Sequence, residues 1–152
     1  LAKLVYNDER VAEHFKPRIW VCVSEEFDVK RLTKEAVESI TYDEPPNVTV
    51  DPLHRGLKEL INGRRFLLVL DDVWNENYDW WQLLLAHFRA ASRGSIIIVT
   101  TRSEIVSHII GSTFTYRLIG LSDEDCLAIF KERAQGKMQG EELEGQIISK
   151  CK

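Results

Sequence analysis

The sequence predicts an α/β protein whose parallel sheet is covered by helices on both faces. Three unbroken apolar runs, IWVCV (19–23), FLLVL (66–70) and SIIIVT (95–100), have the length and hydrophobicity of strands that are buried on both sides. Segments with helical periodicity separate these runs, and strands that alternate with helices pair in parallel because each helix returns the chain to the same end of the sheet. A fourth strand is expected at TYRLI (115–119).

The first two helices are predicted from apolar residues that repeat at helical spacing. One begins near Val29, and its apolar stripe continues to Ile40. The next follows Asp51, which we expect to cap the helix with Pro52 at its first position. Between them, DEPPNVTVDP (43–52) predicts a surface loop, because its prolines interrupt any helix.

Two more helices are expected before the fourth strand, and the pattern changes after it. The third helix contains Trp80 and Trp81, of which we expect one ring to be packed and the other to be partly exposed. A short fourth helix is expected at 105–109. After Leu121, LSDEDCLAIFKERA predicts a helix capped by Ser122, and a further helical stretch runs to the end. We interpret this region as the opening of a small helical subdomain.

Composition excludes several classes of function. The chain has 152 residues, 44% hydrophobic and 29% charged, which suits one globular domain or one domain with part of another. A net charge of -4 and the absence of a Lys/Arg-rich run argue against a nucleic-acid-binding surface. The apolar runs are too short for a transmembrane segment. Three scattered cysteines indicate a reducing compartment and neither a disulfide framework nor a metal site.

Two adjacent acids, Asp71 and Asp72, directly follow the run FLLVL. Ligands of an open parallel sheet bind beyond the carboxyl ends of its strands, and a carboxylate there suits Mg²⁺, which takes its other ligands from water and phosphate. This is the Walker B pattern, in which one aspartate holds the metal and the other orients or deprotonates a water. The residues alone also fit an ordinary strand end, or the phosphoacceptor of a receiver-like domain.

The next core strand ends in Thr100, Thr101 and Arg102. An arginine on this rim can donate to a terminal phosphate, with the threonine hydroxyls as further donors. The alternative is an exposed arginine at a junction between a strand and a helix. Acids on one strand end and TTR on its neighbour together favour the phosphate site.

The motifs of the chain resemble, in order and spacing, those of the NB-ARC domain of plant disease-resistance NLR proteins. The resemblance covers nearly the whole chain and rests on four linked segments: IWVCVSEEFDVKRLTKEAVESI, RRFLLVLDDVWNE, GSIIIVTTRS and YRLIGLSDEDCLAIF. The opening LAKLVYND resembles the helix that follows the lysine and threonines of the family's P-loop. Trp74, which closes LLVLDDVW, resembles the non-TIR, coiled-coil branch.

This resemblance implies a P-loop NTPase-like fold, with Asp71 as the Walker B magnesium ligand and Asp72 as the neighbouring catalytic acid. It implies that Arg102 is the sensor arginine that reads the terminal phosphate, beside Thr100 and Thr101. The implied cofactors are ADP or ATP with Mg²⁺, in a cytoplasmic immune receptor that holds ADP at rest, exchanges it for ATP on activation and is at most a slow ATPase. The implied partners are leucine-rich repeats and an N-terminal coiled coil of the same parent chain, with assembly into an oligomer on activation.

The resemblance also implies boundaries within the chain. Residues 1–121 correspond to the nucleotide-binding core and 122–152 to the beginning of the helical ARC1 subdomain. The family's glycine-rich P-loop, G-x-x-x-x-G-K-T, and its G-L-P-L motif are not within the sequence. We therefore expect a piece of a longer protein, lying between those two motifs and binding nucleotide weakly by itself.

Two other classes of protein are the rivals to this interpretation. One is a receiver-like or metabolic α/β domain that uses Asp71 or Asp72 directly, and the other is a scaffold that binds no nucleotide. A receiver needs a lysine after a late strand, whereas the late predicted strands here end in TTR and IGL. A metabolic enzyme would carry acids or bases on several strand ends, and only one strand supplies carboxylates.

Overall fold

A computed structural model describes residues 1–23, 27–45 and 49–134 of the chain. Two compact units can be distinguished, one from Leu1 to Thr113 and another that begins at Phe114. The helical stretch predicted beyond residue 134 and the centre of the loop predicted at 43–52 lie outside the described residues.

Three parallel strands form the sheet of the first unit, in the spatial order β1-β2-β3. They are β1 (Arg18–Cys22), β2 (Leu67–Val73) and β3 (Ile96–Thr101), so the three predicted buried runs are confirmed as parallel strands. The central strand β2 is covered on both faces, since its residues 67–70 are at most 1% exposed. The predicted burial on both sides is wrong for β3, since none of its residues is buried and Ile96 and Ile97 remain 46% and 37% exposed at the outer edge of the described sheet.

Helices cover both faces of this sheet, as the sequence predicts. Residues of β2 alternate between two cores, with Leu68 and Leu70 in the larger one and Leu67 and Val69 in the smaller one. The seven helices of the described residues are α1 (Ala2–Asn7), α2 (Glu9–His14), α3 (Val29–Thr41), α4 (Val50–Ile61), α5 (Tyr78–Ala86), α6 (Glu104–Ile109) and α7 (Asp123–Ala134). Apolar residues of α3 to α6 fill the larger core, and residues of α1 and α2 cover the smaller one.

A short polar side chain caps the N-terminus of the helix that follows each of the three strands. Asp28 caps α3 by accepting from the backbone N–H groups of Lys30 and Arg31, and Asn77 caps α5 in the same way. The hydroxyl of Ser103 accepts from the backbone N–H of Ile105 and caps α6. Each cap satisfies N–H groups that a helix leaves unpaired, so the loops at this edge of the sheet have defined ends.

The start of α4 differs from the prediction. The helix begins at Val50 after Thr49, and Asp51 lies inside its first turn, so the expectation that Asp51 caps the helix is wrong. Pro52 is tolerated at the third helical position because the first four N–H groups of a helix have no partner within the helix. The charge of Asp51 still interacts favourably with the helix dipole from this position.

The tandem tryptophans of α5 are arranged as predicted. Trp81 is fully buried, and its indole Nε1–H donates to the carbonyl oxygen of Asn75 at 2.8 Å. Trp80 is 45% exposed and stacks on Phe27, with ring centroids 6.1 Å apart. One indole therefore belongs to the core and the other covers its rim.

The prediction of a fourth strand at 115–119 is wrong. Residues 114–121 of the second unit form neither helix nor strand. Their apolar side chains are exposed, including Phe114, Tyr116 and Ile119. An alternating pattern suits a pleated backbone, but a strand forms only where a neighbour pairs its N–H and C=O groups, and no described strand pairs with this segment. Ser122 caps α7 as predicted, by accepting from the backbone N–H of Asp125.

Candidate functional site

The polar residues singled out in the sequence gather at the carboxyl edge of the sheet. The predicted strand ending at Leu70 continues to Val73, so Asp71 and Asp72 lie within β2 and not beyond it. Thr100 and Thr101 close β3, the neighbouring strand, and Arg102 follows directly. Parallel pairing brings these groups to one edge, as expected for a ligand site of an open α/β sheet.

A β-bulge shapes this edge. Leu70 pairs with Val99, whereas Val73 pairs with Thr101, so β2 contains one residue more than β3 over this interval. The two adjacent aspartates therefore face a single residue of β3. Bulges of this kind redirect side chains and are frequent beside functional sites.

The residue opposite the aspartates is Thr100, and its hydroxyl contacts both of them. The hydroxyl donates to Oδ1 of Asp71 at 2.5 Å, a short bond of the kind made to an ionised carboxylate. The same oxygen accepts from the backbone N–H of Asp72 at 2.9 Å. The Thr100 side chain thus orients the Asp71 carboxylate and accepts the hydrogen bond of the Asp72 backbone N–H, which lies at the bulge.

Asp72 has a left-handed backbone conformation, with φ of 56°. Residues other than glycine avoid this region because Cβ crowds the backbone, although aspartate and asparagine tolerate it best. The residue is exposed at the surface, while Asp71 is partly buried. The two carboxylates therefore occupy different environments, and their separate roles stay a prediction.

The other two residues of the TTR motif make contacts of their own. The Thr101 hydroxyl donates to the carbonyl oxygen of Val73 at 2.7 Å and accepts from the backbone N–H of Ser103 at 3.0 Å. The guanidinium carbon of Arg102 lies 5.3 Å from the centroid of the Trp74 ring. The hydroxyl protons of both threonines are thus engaged within the protein, and their donation to a phosphate stays a prediction.

A cavity of about 370 Å³ opens beside Asp71. Its other lining residues are Lys3, Tyr6, Asn7 and Trp20, contributed by α1 and β1. Sequence reasoning did not single out these four. The sequence feature that could have indicated this cavity is the position of Trp20 between Ile19 and Val21. Because side chains alternate along a strand, Trp20 points to the opposite face of β1 from these two residues. The cavity combines one ammonium group and one carboxylate with two aromatic rings.

Tyr6 anchors α1 to the sheet at this cavity. Its hydroxyl donates to the carbonyl oxygen of Arg18 at 3.2 Å, and the guanidinium of Arg18 lies over the Tyr6 ring and donates to the Tyr6 carbonyl oxygen. Trp20 meets the Tyr6 ring edge to face, with centroids 5.3 Å apart. These contacts hold the helix that carries Lys3 against the same face of β1.

Glu76 is a further acid that the sequence did not indicate. Its Oε1 accepts from the Ser103 hydroxyl at 2.7 Å, which links the loop after β2 to the first residue before α6. The loop that follows the aspartates is therefore tied to the loop that follows Arg102.

The residues of the edge fit a magnesium ion better than a metal held by the protein alone. No group of three His, Cys, Asp or Glu side chains among the described residues is arranged as a metal site. Oδ1 of Asp71 accepts a hydrogen bond from the Thr100 hydroxyl. Mg²⁺ needs only one or two protein oxygens when water and phosphate provide its other ligands. A single oriented carboxylate thus matches the donor set of a magnesium–phosphate site.

Comparisons with known proteins identify the family of the chain. A family model described as the NB-ARC domain matches residues 1–140. Disease resistance protein RGA2 of Solanum bulbocastanum is 46% identical over 151 residues, which are 98% of this chain and 15% of that protein. Putative disease resistance RPP13-like protein 1 of Arabidopsis thaliana is 40% identical over 160 residues, with all of this chain and 15% of that protein covered.

The chain therefore spans about 15% of the length of these two relatives. In the part of the chain that the structure describes, no helix is long and apolar enough to cross a membrane. Both the family model and the relatives extend over the acid pair, the TTR motif and the sheet that joins them. These matches show that the chain belongs to the NB-ARC domain family of plant disease-resistance proteins.

Proposed function

We propose that the chain is part of the nucleotide-binding switch module of a plant intracellular immune receptor that acts in defence against pathogens. The observation that carries the proposal is the hydrogen bond between Thr100 and Asp71 at the carboxyl edge of a parallel sheet. This edge is where open α/β sheets bind their ligands. Residues 1–121 would belong to the nucleotide-binding core, and 122–152 would open the helical ARC1 subdomain.

Asp71 would provide the protein ligand to Mg²⁺. Its carboxylate is partly buried and oriented by Thr100, so it need not reorganise when the metal arrives. When bound with a nucleotide, Mg²⁺ neutralises charge on the phosphate oxygens. Loss of the Asp71 carboxylate would therefore weaken binding of nucleotide in the presence of Mg²⁺ more than in its absence.

Asp72 would act on the water that attacks the terminal phosphate. Its carboxylate is exposed, and the bulge turns the backbone at this position into the left-handed region. The residue would orient or deprotonate the water, which makes the module at most a slow ATPase. Hydrolysis would convert the active ATP state into the resting ADP state.

Arg102 would distinguish ATP from ADP. It follows β3 at the same edge, and a guanidinium recognises a phosphate through paired, charge-assisted hydrogen bonds. Only ATP presents the terminal phosphate, so the arginine would add to the affinity for ATP and little to that for ADP. Thr100 and Thr101 would support the site mainly by holding Asp71 and the end of β2.

The proposed partners lie in the same parent chain. Leucine-rich repeats would restrain the switch, and an N-terminal coiled coil would signal after the activated protein assembles into an oligomer. Trp74, which follows the acid pair in LLVLDDVW, supports the coiled-coil branch of the family.

The test is nucleotide binding by a full-length relative in which residues 1–152 of this chain replace the matching segment. Calorimetric titrations with ADP and ATP, with and without Mg²⁺, compare this chimera with its Asp71→Asn and Arg102→Ala variants. We expect Asp71→Asn to remove the advantage that Mg²⁺ gives to ATP, and Arg102→Ala to lower the affinity for ATP alone. Asp43→Asn, an exposed acid beyond the far end of α3, is the matched control.

Two results would contradict the proposal. A chimera that binds neither nucleotide, while the unmodified relative binds both, would indicate a scaffold without a nucleotide site. Equal affinities for ADP and ATP before and after Arg102→Ala would remove the arginine from its proposed role.

A further inference from the structure

The side chain of Arg102 lies against an aromatic ring at the surface. Its guanidinium carbon is 5.3 Å from the centroid of the Trp74 ring, within the range of a cation–π contact. Trp74 is 43% exposed and Arg102 is exposed as well, so both groups can be reached by a ligand. Among the described residues, no carboxylate lies within ion-pairing distance of this arginine.

The β-bulge is what brings the two side chains together. With the extra residue in β2, Val73 pairs with Thr101, and the next residues along the two strands are Trp74 and Arg102. Without it, the register set by the earlier pairs would place Val73 opposite Arg102 and Trp74 one residue further along. A slip of one residue also turns a side chain to the opposite face of a strand.

Both backbones are anchored immediately before this contact. Val73 is fully buried, and its carbonyl oxygen accepts from the hydroxyl of Thr101. After Arg102, the backbone N–H of Ser103 donates to the same hydroxyl. The positions from which Trp74 and Arg102 project are therefore fixed, although the side chains themselves are at the surface.

We propose that Trp74 is a specificity-determining residue. Its ring binds the guanidinium of Arg102 in the resting state and releases it when a terminal phosphate binds. The inference rests on the proposed nucleotide switch and concerns how that switch discriminates between its two nucleotides. An indole face is the strongest aromatic partner of a guanidinium, yet paired hydrogen bonds to a phosphate are stronger still.

The consequence is a bias towards the diphosphate. ATP must draw the guanidinium of Arg102 off the Trp74 ring before its terminal phosphate is bound, and the lost contact is subtracted from the binding free energy. ADP has no terminal phosphate, so it leaves the contact intact. The ring thus lowers the affinity for ATP relative to ADP and favours the resting state.

The first test removes the ring in the chimera of the full-length relative. We expect Trp74→Leu to raise the affinity for ATP roughly two- to fivefold, the value of an exposed cation–π contact, and to leave the affinity for ADP unchanged. Trp74→Phe retains an aromatic face and should stay close to the parent chimera. Trp80→Leu is the matched control, because it removes an indole of similar exposure that makes no cation–π contact among the described residues.

The second test follows the ring directly. The difference between the fluorescence spectra of the parent chimera and Trp74→Phe isolates the emission of Trp74. This difference should change when ATP is added and should not change with ADP. In the Arg102→Ala background it should not respond to ATP even at concentrations that saturate the variant. A role of Trp74 in packing alone would produce no such dependence on the arginine.

The outcomes separate this inference from the proposed function. If Arg102→Ala lowers the affinity for ATP but Trp74→Leu leaves it equal or reduces it, the resting contact is overturned and the switch stands. If Arg102→Ala changes neither affinity, the proposed role of the arginine fails and the inference about Trp74 falls with it.

Discussion

The hydroxyl of Thr100 donates a 2.5 Å hydrogen bond to the carboxylate of Asp71. This bond joins the end of β3 to the end of β2. It links the TTR motif to the acid pair, through two residues that are 29 positions apart in the sequence. Because the same hydroxyl accepts from the backbone N–H of Asp72, it also stabilises the bulge. The geometry of the acid pair thus depends on a residue of the neighbouring strand.

Replacing Thr100 by valine should disturb both stability and metal dependence. Thr100→Val keeps the shape of the side chain but removes both bonds, and we expect the free energy of unfolding to fall by about 1–3 kcal/mol. Urea unfolding of the chain measures this change, and titration of the chimera with Mg-ATP measures the loss of the oriented carboxylate. Thr100→Ser, which retains the hydroxyl, should resemble the wild type, and equal behaviour of the two variants would argue against the bond.

Two substitutions at Asp72 should separate backbone strain from chemistry. Glycine adopts the left-handed conformation freely whereas alanine does not, so we expect Asp72→Gly to be more stable to urea than Asp72→Ala by about 1 kcal/mol. Both variants lack the carboxylate, and both should lose ATP hydrolysis in the chimera. Hydrolysis that survives in either variant would remove Asp72 from the catalytic role.

A pair of histidines joins three helices of the larger core. His87 is buried, its ring stacks on that of His54 from α4 at 4.1 Å, and its Nδ1 lies 3.0 Å from the hydroxyl of Thr33 in α3. That hydroxyl donates to the carbonyl oxygen of Val29, so Nδ1–H of the neutral ring is the donor to Thr33. Burial, and next the charge of His54, lowers the pKa of His87 below its usual value of 6.5.

This depressed pKa predicts a loss of stability in acid. The unfolded chain takes up a proton at this histidine at a higher pH than the folded chain, so the contribution of His87 is complete above pH 6.5. It is lost as the pH falls from that value through the lower pKa of the folded state. The effect is measured by urea midpoints at about pH 7.5 and about pH 5.5. These two pH values bracket the usual titration of histidine.

Variants of the two histidines test the origin of this loss of stability in acid. His87→Gln should reduce the difference between the two pH values, and His54→Gln should reduce it less, because burial is the larger cause of the shift. His108→Gln changes an exposed histidine of α6 and should leave the difference as it is in the wild type. A difference that persists in His87→Gln would assign the acid sensitivity to other groups.

The tandem tryptophans should differ strongly in their contribution to stability. Trp81→Ala opens a cavity in the larger core and leaves the carbonyl oxygen of Asn75 without its donor, so we expect a loss of about 3–5 kcal/mol in urea unfolding. Trp80→Ala removes a ring that is 45% exposed and should cost about 1 kcal/mol or less. Similar losses for the two variants would contradict this assignment of core and rim.

Local patterns in the sequence were sufficient for most of the elements. The unbroken run FLLVL identified β2 because a strand between two helical layers meets apolar side chains on both faces. The apolar stripes identified α3 to α6, and Ser122 identified the start of α7, since side-chain caps act within a single turn. The segment 115–119 failed because its pattern is local whereas strand pairing depends on a distant partner.

By itself, the sequence determined the fold class, the family motifs and the meeting of Asp71, Asp72 and the TTR residues at one edge of a parallel sheet. Only the tertiary structure decided which of these groups touch. The bulge in β2 places Thr100 against both aspartates and Trp74 beside Arg102. The reason is that cross-strand register is set by packing across the whole sheet, and one extra residue in one strand changes every contact that follows it.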